Sequence, residues 1–222
     1  MSMLKLASVL VAALAGTVSA TAYAADDDFD RWEVRARFVR LDSKGESDPI
    51  SQLNLPANAV VVNGVSLPEF DISYFFTKHI AAELILTYPQ KMNVDVNAGT
   101  GIGQIGHVTA LPPIITGQYH FMLPQGFDPY VGAGMNLTWL TNVQLKAAPV
   151  LPLGLNTSSK FSVGPALQAG LDYTVAKRWV VNADIKYAWI TYNLTSNALG
   201  DIKVSTLTVN PWLFGIGVGY KF

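Results

Sequence analysis

The stretch that decides the fold is WLFGIGVGYKF, which runs from Trp212 to Phe222. Every second side chain in it is bulky and apolar, whereas the positions between them carry mostly glycine. Because side chains of a strand alternate between its two faces, one face is a continuous apolar stripe. Aromatic residues stand at both ends of this stripe and aliphatic residues lie between them. This order is typical of a strand that crosses a membrane and places aromatic side chains at both interfaces.

A second segment, from Trp179 to Trp189, shows the same alternation with stronger contrast. Its apolar face opposes Asn182, Asp184 and Lys186. A slip of one residue would turn all three polar side chains toward lipid, and a lysine alone costs about 2–4 kcal/mol at the bilayer midplane. The register of this strand is therefore strongly specified.

Eight segments alternate in this way. They are 31–41, 70–76, 80–88, 108–122, 129–140, 163–175, 179–189 and 212–222. Eight is an even number, as the closure of a bacterial barrel requires. Short connections at 77–79, 123–128 and 176–178 alternate with long ones at 42–69, 89–107, 141–161 and 190–205. The sequence therefore predicts an all-β fold, an eight-stranded antiparallel transmembrane β-barrel with short periplasmic turns and long extracellular loops.

The N-terminus predicts export. Lys5 precedes a short apolar stretch, 6–16, and Ala22-Tyr23-Ala24 fits a small-x-small cleavage site. The apolar stretch is shorter than the roughly 20 residues that a membrane-spanning helix needs, and its flanks match a secretory signal. We therefore expect a cleaved signal peptide over 1–24, a barrel over 25–222, and a location in the bacterial outer membrane.

Composition argues against several classes of function. The formal net charge is −1 and the chain has no basic cluster, which argues against a nucleic-acid partner. The cysteine count is zero, so thiolate chemistry is excluded. His79, His107 and His120 are too scattered for a catalytic triad or a metal site, and the glycine run 99–103 lacks the context and the lysine of a phosphate loop. We expect no enzyme, no metal and no cofactor.

A set of charged residues faces the interior of the predicted barrel. They are Glu33, Arg35, Arg37, Glu83, Asp184 and Lys186. The interior of an eight-stranded barrel is barely wide enough for side chains, so we expect opposite charges to pair and to plug the periplasmic half. The alternative is a functional role, because charges inside a membrane protein normally mark one.

Two prolines interrupt the fourth predicted strand. Pro112 and Pro113 remove two ladder donors, and proline is otherwise confined to sheet edges, strand starts or bulges. We expect a locally unpaired wall here, which predicts a lateral opening for an apolar solute; a β-bulge that only shapes the barrel is the alternative. Apolar residues that would lead to the opening are Ile85, Leu145, Leu151 and Leu153. Exposed apolar patches usually mean binding, although loops that pack on each other would explain the loop residues equally well.

Several motifs resemble one family of outer-membrane proteins. They are Ala110-Leu111-Pro112-Pro113, Gln118-Tyr119-His120-Phe121, Pro129 to Gly134, Gly164 to Gly170, and Asn210-Pro211-Trp212. In this order they resemble the outer-membrane protein W (OmpW) family, which includes the alkane-uptake protein AlkL. The resemblance implies an eight-stranded barrel that carries small hydrophobic molecules passively across the outer membrane. The chain departs from the family at Ser158 to Val163, where members often have an acidic, lysine-containing stretch with a tryptophan, so loop function transfers poorly.

The sequence is compatible with two functions. The first is a passive channel for small hydrophobic solutes, and the second is a structural or adhesive barrel whose loops serve phage or bacteriocins. A continuous apolar path to Pro112 favours the channel, and a sealed lumen favours the structural barrel. Expected partners are outer-membrane lipid and lipopolysaccharide, the solute, and the barrel assembly machinery, whose C-terminal recognition signal the ending Tyr220-Lys221-Phe222 resembles.

Overall fold

A computed structural model describes residues 29–43, 46–51, 54–96, 103–145, 155–157, 160–196 and 199–222. The predicted signal peptide, 1–24, lies outside these ranges. Within them, no helix has the length and hydropathy that a membrane span would need.

The described residues form strands almost throughout. These are β1 (Trp32–Asp42), β2 (Glu46–Ser47), β3 (Val60–Val62), β4 (Val65–Phe75), β5 (Ile80–Thr87), β6 (Gln90–Val96), β7 (Gly103–Leu111), β8 (Ile114–His120), β9 (Phe127–Leu145), β10 (Leu155–Thr157), β11 (Phe161–Ala176), β12 (Trp179–Ala188), β13 (Thr191–Ser196), β14 (Ile202–Thr208) and β15 (Trp212–Lys221). A 3-10 turn, Pro124–Gly126, lies between β8 and β9.

Eight of the strands close a ring. Each pairs antiparallel with its neighbour in the order β1-β4-β5-β8-β9-β11-β12-β15, and β15 returns to β1. One end of the ring carries the three short connections and both ends of the described chain. The 3-10 turn belongs to one of these connections. The predicted closed antiparallel barrel of eight strands is confirmed.

The long connections are more regular than predicted. We expected loops at 89–107 and 190–205, but β6 pairs with β7 in the first and β13 with β14 in the second. β4 also begins at Val65 and β9 continues to Leu145, inside two other predicted loops. Proline stands at the interruptions 88–89 and 112–113 and ends the alternating pattern there, which hides that strands resume beyond these two points.

Two belts of aromatic side chains mark the membrane interfaces. The lower belt, near the short turns, contains Trp32, Phe76, Tyr119, Phe121, Phe127, Tyr173, Trp179 and Phe222. The upper belt contains Tyr88, Trp139, Phe161, Tyr187, Trp189 and Trp212, with close ring contacts such as Trp139–Phe161 at 4.8 Å between centroids. Such belts flank the hydrocarbon region of outer-membrane barrels. β6, β7, β13 and β14 therefore rise above the bilayer as an extension of the barrel.

The interior changes character along the barrel axis. Most inward positions near the short turns are polar or charged, and most inward positions near the upper belt and above it are apolar. The change falls between successive inward residues on the same strand: Arg37 is followed by Val39, and Glu83 by Ile85. This boundary defines the two parts of the candidate site.

Candidate functional site

A charged plug fills the periplasmic half of the lumen. Its members are Glu33, Arg35, Arg37, Glu69, Asp71, Glu83, Asp172, Asp184 and Lys186, all of them buried. They project inward because each occupies the inward phase of the period-two alternation of its strand. The structure thus brings together all six charged residues that the sequence placed in the lumen, with three more carboxylates.

Arg35 lies at the centre of the plug. Its Nη1 donates to Glu83 Oε1 at 2.9 Å, and its Nη2 contacts Glu33 Oε2 at 2.9 Å and Asp172 Oδ2 at 2.6 Å. The guanidinium also lies 5.6 Å from the centre of the Tyr130 ring. The fork of a guanidinium provides several donors in fixed directions, which is why one side chain can join carboxylates from several strands.

Arg37 and Lys186 hold the upper part of the plug. Arg37 Nη1 contacts Asp71 Oδ2 at 2.8 Å, and Arg37 Nη2 contacts Glu83 Oε1 at 3.2 Å. Lys186 Nζ donates to Glu69 Oε1 at 2.7 Å and also contacts Asp184. Each cation therefore bridges at least two carboxylates, as buried charges require when water is excluded.

Neutral polar side chains complete the plug. Gln168 Nε2 donates to Glu83 and Asp184, at 2.8 Å in each case. Tyr130 extends across the lumen against Gly170, where an added Cβ would lie 2.3 Å from the tyrosine Cζ. With these side chains in place, the described lumen at this level is filled rather than open.

A histidine lies at the periplasmic end of the plug. His120 Nδ1 is 2.9 Å from Asp128 Oδ2, and the His120 ring stacks on Tyr130 with 5.0 Å between centroids. One ligand atom from each of His120, Asp128 and Asp172 lies within 4.8 Å of the others, the spacing of a metal site. Asp172 is already bound to the Arg35 guanidinium, whose positive charge opposes a cation there. His120 and Asp128 are therefore best described as polar side chains that adjoin the plug at its periplasmic end.

An apolar cavity lies above the plug. The described residues that line it are Leu41, Val60, Val62, Met92, Val94, Val108, Ala110, Pro112, Ile114, Asn136, Thr138, Leu140, Ala188, Ile190, Tyr192, Leu194, Leu207, Val209, Pro211 and Leu213. Its volume is about 50 Å³. Residues of the barrel and of its extension both contribute, so the cavity spans the level of the upper aromatic belt.

An apolar layer separates the cavity from the plug. Val39, Leu67 and Ile85 are the first inward residues above Arg37, Glu69 and Glu83, and all three are fully buried. Ile85, which we placed on the apolar pathway, therefore lies beneath the cavity and does not line it. The layer keeps the charged groups away from any apolar molecule in the cavity.

The barrel wall is interrupted beside the cavity. β5 pairs with β8 as far as Ile85 and Ile114, and pairing resumes between β6 and β7 only at Gln90 and Ala110. The intervening residues, 86–89 and 111–113, form no ladder with each other. On the other flank the ladder continues, because Leu137 N donates to Pro113 O at 2.9 Å. The predicted proline break thus lies between β7 and β8, with Pro112 in the cavity lining.

The other three residues predicted on the apolar pathway have no described side chain. The backbone of Leu145 ends β9, but its side chain, Leu151 and Leu153 lie outside the described parts of the chain. Three plug members were not predicted from the sequence: Glu69, Asp71 and Asp172. Asp71 and Asp172 occupied polar phases of predicted strands, so they were identifiable. Glu69 was missed because it was assigned to the loop 42–69, whereas β4 already includes it.

Comparisons with known proteins agree on one group. A sequence model described as the OmpW family matches residues 31–222. The chain is 31% identical to outer membrane protein W of Vibrio cholerae, over 85% of this chain and 87% of that protein. An uncharacterized outer-membrane protein of Sinorhizobium fredii is 36% identical, over 86% and 80%.

Solved structures show the same architecture. OprG of Pseudomonas aeruginosa has a TM-score of 0.72 and 26% identity, covering 87% of this chain and 96% of that chain. AlkL in lipid bilayers has a TM-score of 0.66 and 25% identity, covering 90% and 94%.

Proposed function

The chain belongs to the OmpW family of outer-membrane proteins, and from this premise we propose that it is a passive channel for small hydrophobic molecules with a lateral exit into the bilayer. It is an outer-membrane protein that spans the bilayer as an eight-stranded barrel.

One observation carries the proposal: the apolar cavity is closed below by the apolar layer and the charged plug, but at its side it reaches the interrupted wall. Below the cavity, an apolar solute would have to displace paired charges, and breaking a buried ion pair costs about 3–5 kcal/mol. At its side, Pro112 lines the cavity and lies in the segment without ladder pairs. The sideways route therefore breaks no strand hydrogen bonds, whereas the axial route breaks ion pairs.

The level of the break also suits transfer into lipid. Leu111 pairs with Trp139, a member of the upper aromatic belt. A solute that leaves beside Pro112 enters the bilayer where the interface meets the hydrocarbon layer. The solute would thereby bypass the polar lipopolysaccharide surface. We propose that the cavity begins above the membrane for this reason.

The test replaces both prolines by valine, Pro112→Val with Pro113→Val, because valine restores ladder donors and favours strand structure. We expect uptake of a long-chain alkane by cells that carry the double variant to fall toward that of cells without the barrel. Pro129→Val is the matched control, since Pro129 lies in β9 opposite Leu171, away from the cavity. Assembly of each variant is checked by heat-dependent gel mobility.

Equal uptake by wild type and the double variant would remove the lateral exit from the proposal. If wild-type cells take up no more alkane than cells without the barrel, the channel itself is contradicted. That second result would favour the other candidate, a structural or adhesive barrel that presents its loops to phage or bacteriocins. The filled plug and the small volume of the cavity are the observations that support this candidate.

The proposal includes the partners that such a barrel needs. We propose contact with lipopolysaccharide at the outer surface and insertion by the barrel assembly machinery through the ending Tyr220-Lys221-Phe222. We assign no catalytic step and no cofactor to the chain. His120 and Asp128 act in this proposal as buried partners at the periplasmic end of the plug.

A further inference from the structure

The wall of the apolar cavity contains polar side chains that do not present their polar atoms to it. Asn136, Thr138 and Tyr192 line the cavity, yet its surface is apolar. The Tyr192 hydroxyl donates to the Thr138 carbonyl oxygen at 3.4 Å, and Thr138 Oγ1 donates to Asn136 Oδ1 at 3.1 Å. These residues therefore bond within the wall, and a molecule in the cavity meets only their apolar atoms.

The wall beside Asn136 is interrupted, and one backbone carbonyl turns inward there. Trp189 lies in the gap between β12 and β13. Gly164 lies on β11 between the inward residues Ser162 and Ala166, and a Cβ added to this glycine would lie 2.0 Å from Trp189 O. The carbonyl oxygen of Trp189 thus occupies the inward side of Gly164. Without a donor, this oxygen would be an unpaired polar group on the inner face of the barrel.

The Asn136 amide covers this interruption. Its Nδ2 donates to the carbonyl oxygens of Gly164, Pro165 and Trp189 at 2.9, 3.1 and 2.9 Å. An amide nitrogen carries two hydrogens, so three acceptors share them and none is left for a ligand. Asn136 is fully buried, and its Oδ1 accepts from Thr138. Together, Asn136 and Thr138 therefore cover three carbonyl oxygens and the amide oxygen.

We propose that Asn136 and Thr138 set the solute specificity of the cavity: by covering these oxygens they keep it free of hydrogen-bonding groups, so that it binds unsubstituted hydrocarbons in preference to alcohols of the same shape. A hydroxyl that enters the cavity gives up its hydrogen bonds to water and finds no replacement there. An uncovered oxygen would offer a replacement, and the cavity would then accept alcohols. This inference rests on the proposed function and specifies the solute class of the same cavity.

The test compares naphthalene with 2-naphthol, which differ by one hydroxyl. Their dissociation constants are measured by equilibrium dialysis against the whole barrel in lipid nanodiscs, with empty nanodiscs subtracted. For wild type we expect 2-naphthol to bind about tenfold more weakly, because its hydroxyl loses water without gaining a partner. In Asn136→Ala, the uncovered carbonyl oxygens can accept from this hydroxyl. The ratio of the two dissociation constants should therefore fall about fivefold, the value of one net hydrogen bond.

Thr138→Ala is a second, independent variant. It leaves Asn136 Oδ1 without its donor, and the ratio should fall about threefold because one acceptor is uncovered. Leu140→Ala is the matched control, since Leu140 lies on the same inward face of β9 and lines the cavity, but its side chain has no hydrogen-bonding atom. The control adds space only, so it should affect both ligands alike and keep the wild-type ratio.

The inference is overturned if wild type binds both ligands equally, if Asn136→Ala and Thr138→Ala keep the wild-type ratio, or if Leu140→Ala lowers it as much. The channel proposal stands in each of these cases, because naphthalene still binds. If Asn136→Ala does not assemble, Thr138→Ala decides. If wild type binds no naphthalene, the proposed hydrophobic site is contradicted, and the inference falls with it.

Discussion

At the scale of the residue, the plug depends on guanidinium groups that each serve several carboxylates. Arg35 contacts Glu33, Glu83 and Asp172 from three different strands of the ring. Asp184, which also faces the lumen, is bound by Lys186 rather than by Arg35. Removing one partner of a buried set leaves the others uncompensated, which costs more than the intact set contributes.

We therefore expect Arg35→Met to lower the free energy of unfolding by about 3–5 kcal/mol. Methionine keeps an unbranched apolar stem but leaves three carboxylates without this cation. Arg40→Met is the control on the same strand, because Arg40 faces outward and bonds only to Ser66 Oγ at 3.3 Å among the contacts described; its effect should stay within about 0.5 kcal/mol. Urea unfolding in thin-bilayer vesicles measures both. Equal, small losses in the two variants would contradict the central role of Arg35.

At the scale of the element, the strand interruptions are closed in different ways. At Trp189 and Ile190, side chains replace the missing ladder: Asn136 Nδ2 binds Trp189 O, and Asn210 Oδ1 accepts from Ile190 N at 2.9 Å. At the Pro112–Pro113 interruption, the hydrogen bonds toward β5 and β6 are not replaced in this way across the described wall. The amide of Asn136 therefore closes one side of the barrel, and this leaves the proposed exit on the other.

The corresponding prediction concerns hydrogen exchange. In Asn136→Ala, the amides of Trp189 and Ile190 should exchange about tenfold faster, because three carbonyl oxygens lose their donor and the wall between β11 and β12 opens more often. Asn93→Ala is the control, since the Asn93 side chain is exposed on β6. Exchange rates that are the same in both variants would show that Asn136 does not hold this wall.

At the scale of the whole molecule, the barrel is taller than the membrane it crosses. The two aromatic belts bound a lipid-facing band, and the hairpins β6–β7 and β13–β14 continue above it. The extension encloses the upper part of the apolar cavity, since Val94, Tyr192 and Leu207 line it. In the proposed channel, a cavity that reaches above the bilayer would receive a hydrophobic molecule before that molecule meets lipid.

This placement predicts that the same type of substitution, isoleucine to arginine, changes the free energy of unfolding more in the lipid-facing band than in the extension. Ile216 lies in the middle of β15 and is 67% exposed, and Ile202 lies in β14 and is 58% exposed. Ile216→Arg should lower the free energy of unfolding by about 2–4 kcal/mol, the cost of arginine at the bilayer midplane. Ile202→Arg should change it by less than about 0.5 kcal/mol, because its side chain meets water. The free energies are measured by unfolding in vesicles. If both variants lose a similar amount of stability, the extension lies inside the membrane.

The sequence by itself determined the ring of eight strands, the inward face of each predicted strand and six of the nine charges in the plug. These follow from local rules: alternation has a period of two, and a one-residue slip in β12 would carry Asp184 and Lys186 into lipid. The short turns and the proline interruption could also be predicted from the sequence, because each depends on residues that are neighbours in the chain.

The tertiary structure alone decided which groups meet. Arg35 and Asp172 are separated by 137 residues, and closure of the ring, rather than either strand, brings them to 2.6 Å. Tyr192 fell within a predicted loop, and only the pairing of β13 with β14 turns its hydroxyl toward Thr138. The alternating pattern specifies which face a side chain takes, whereas its partner depends on the closure and stagger of the whole barrel.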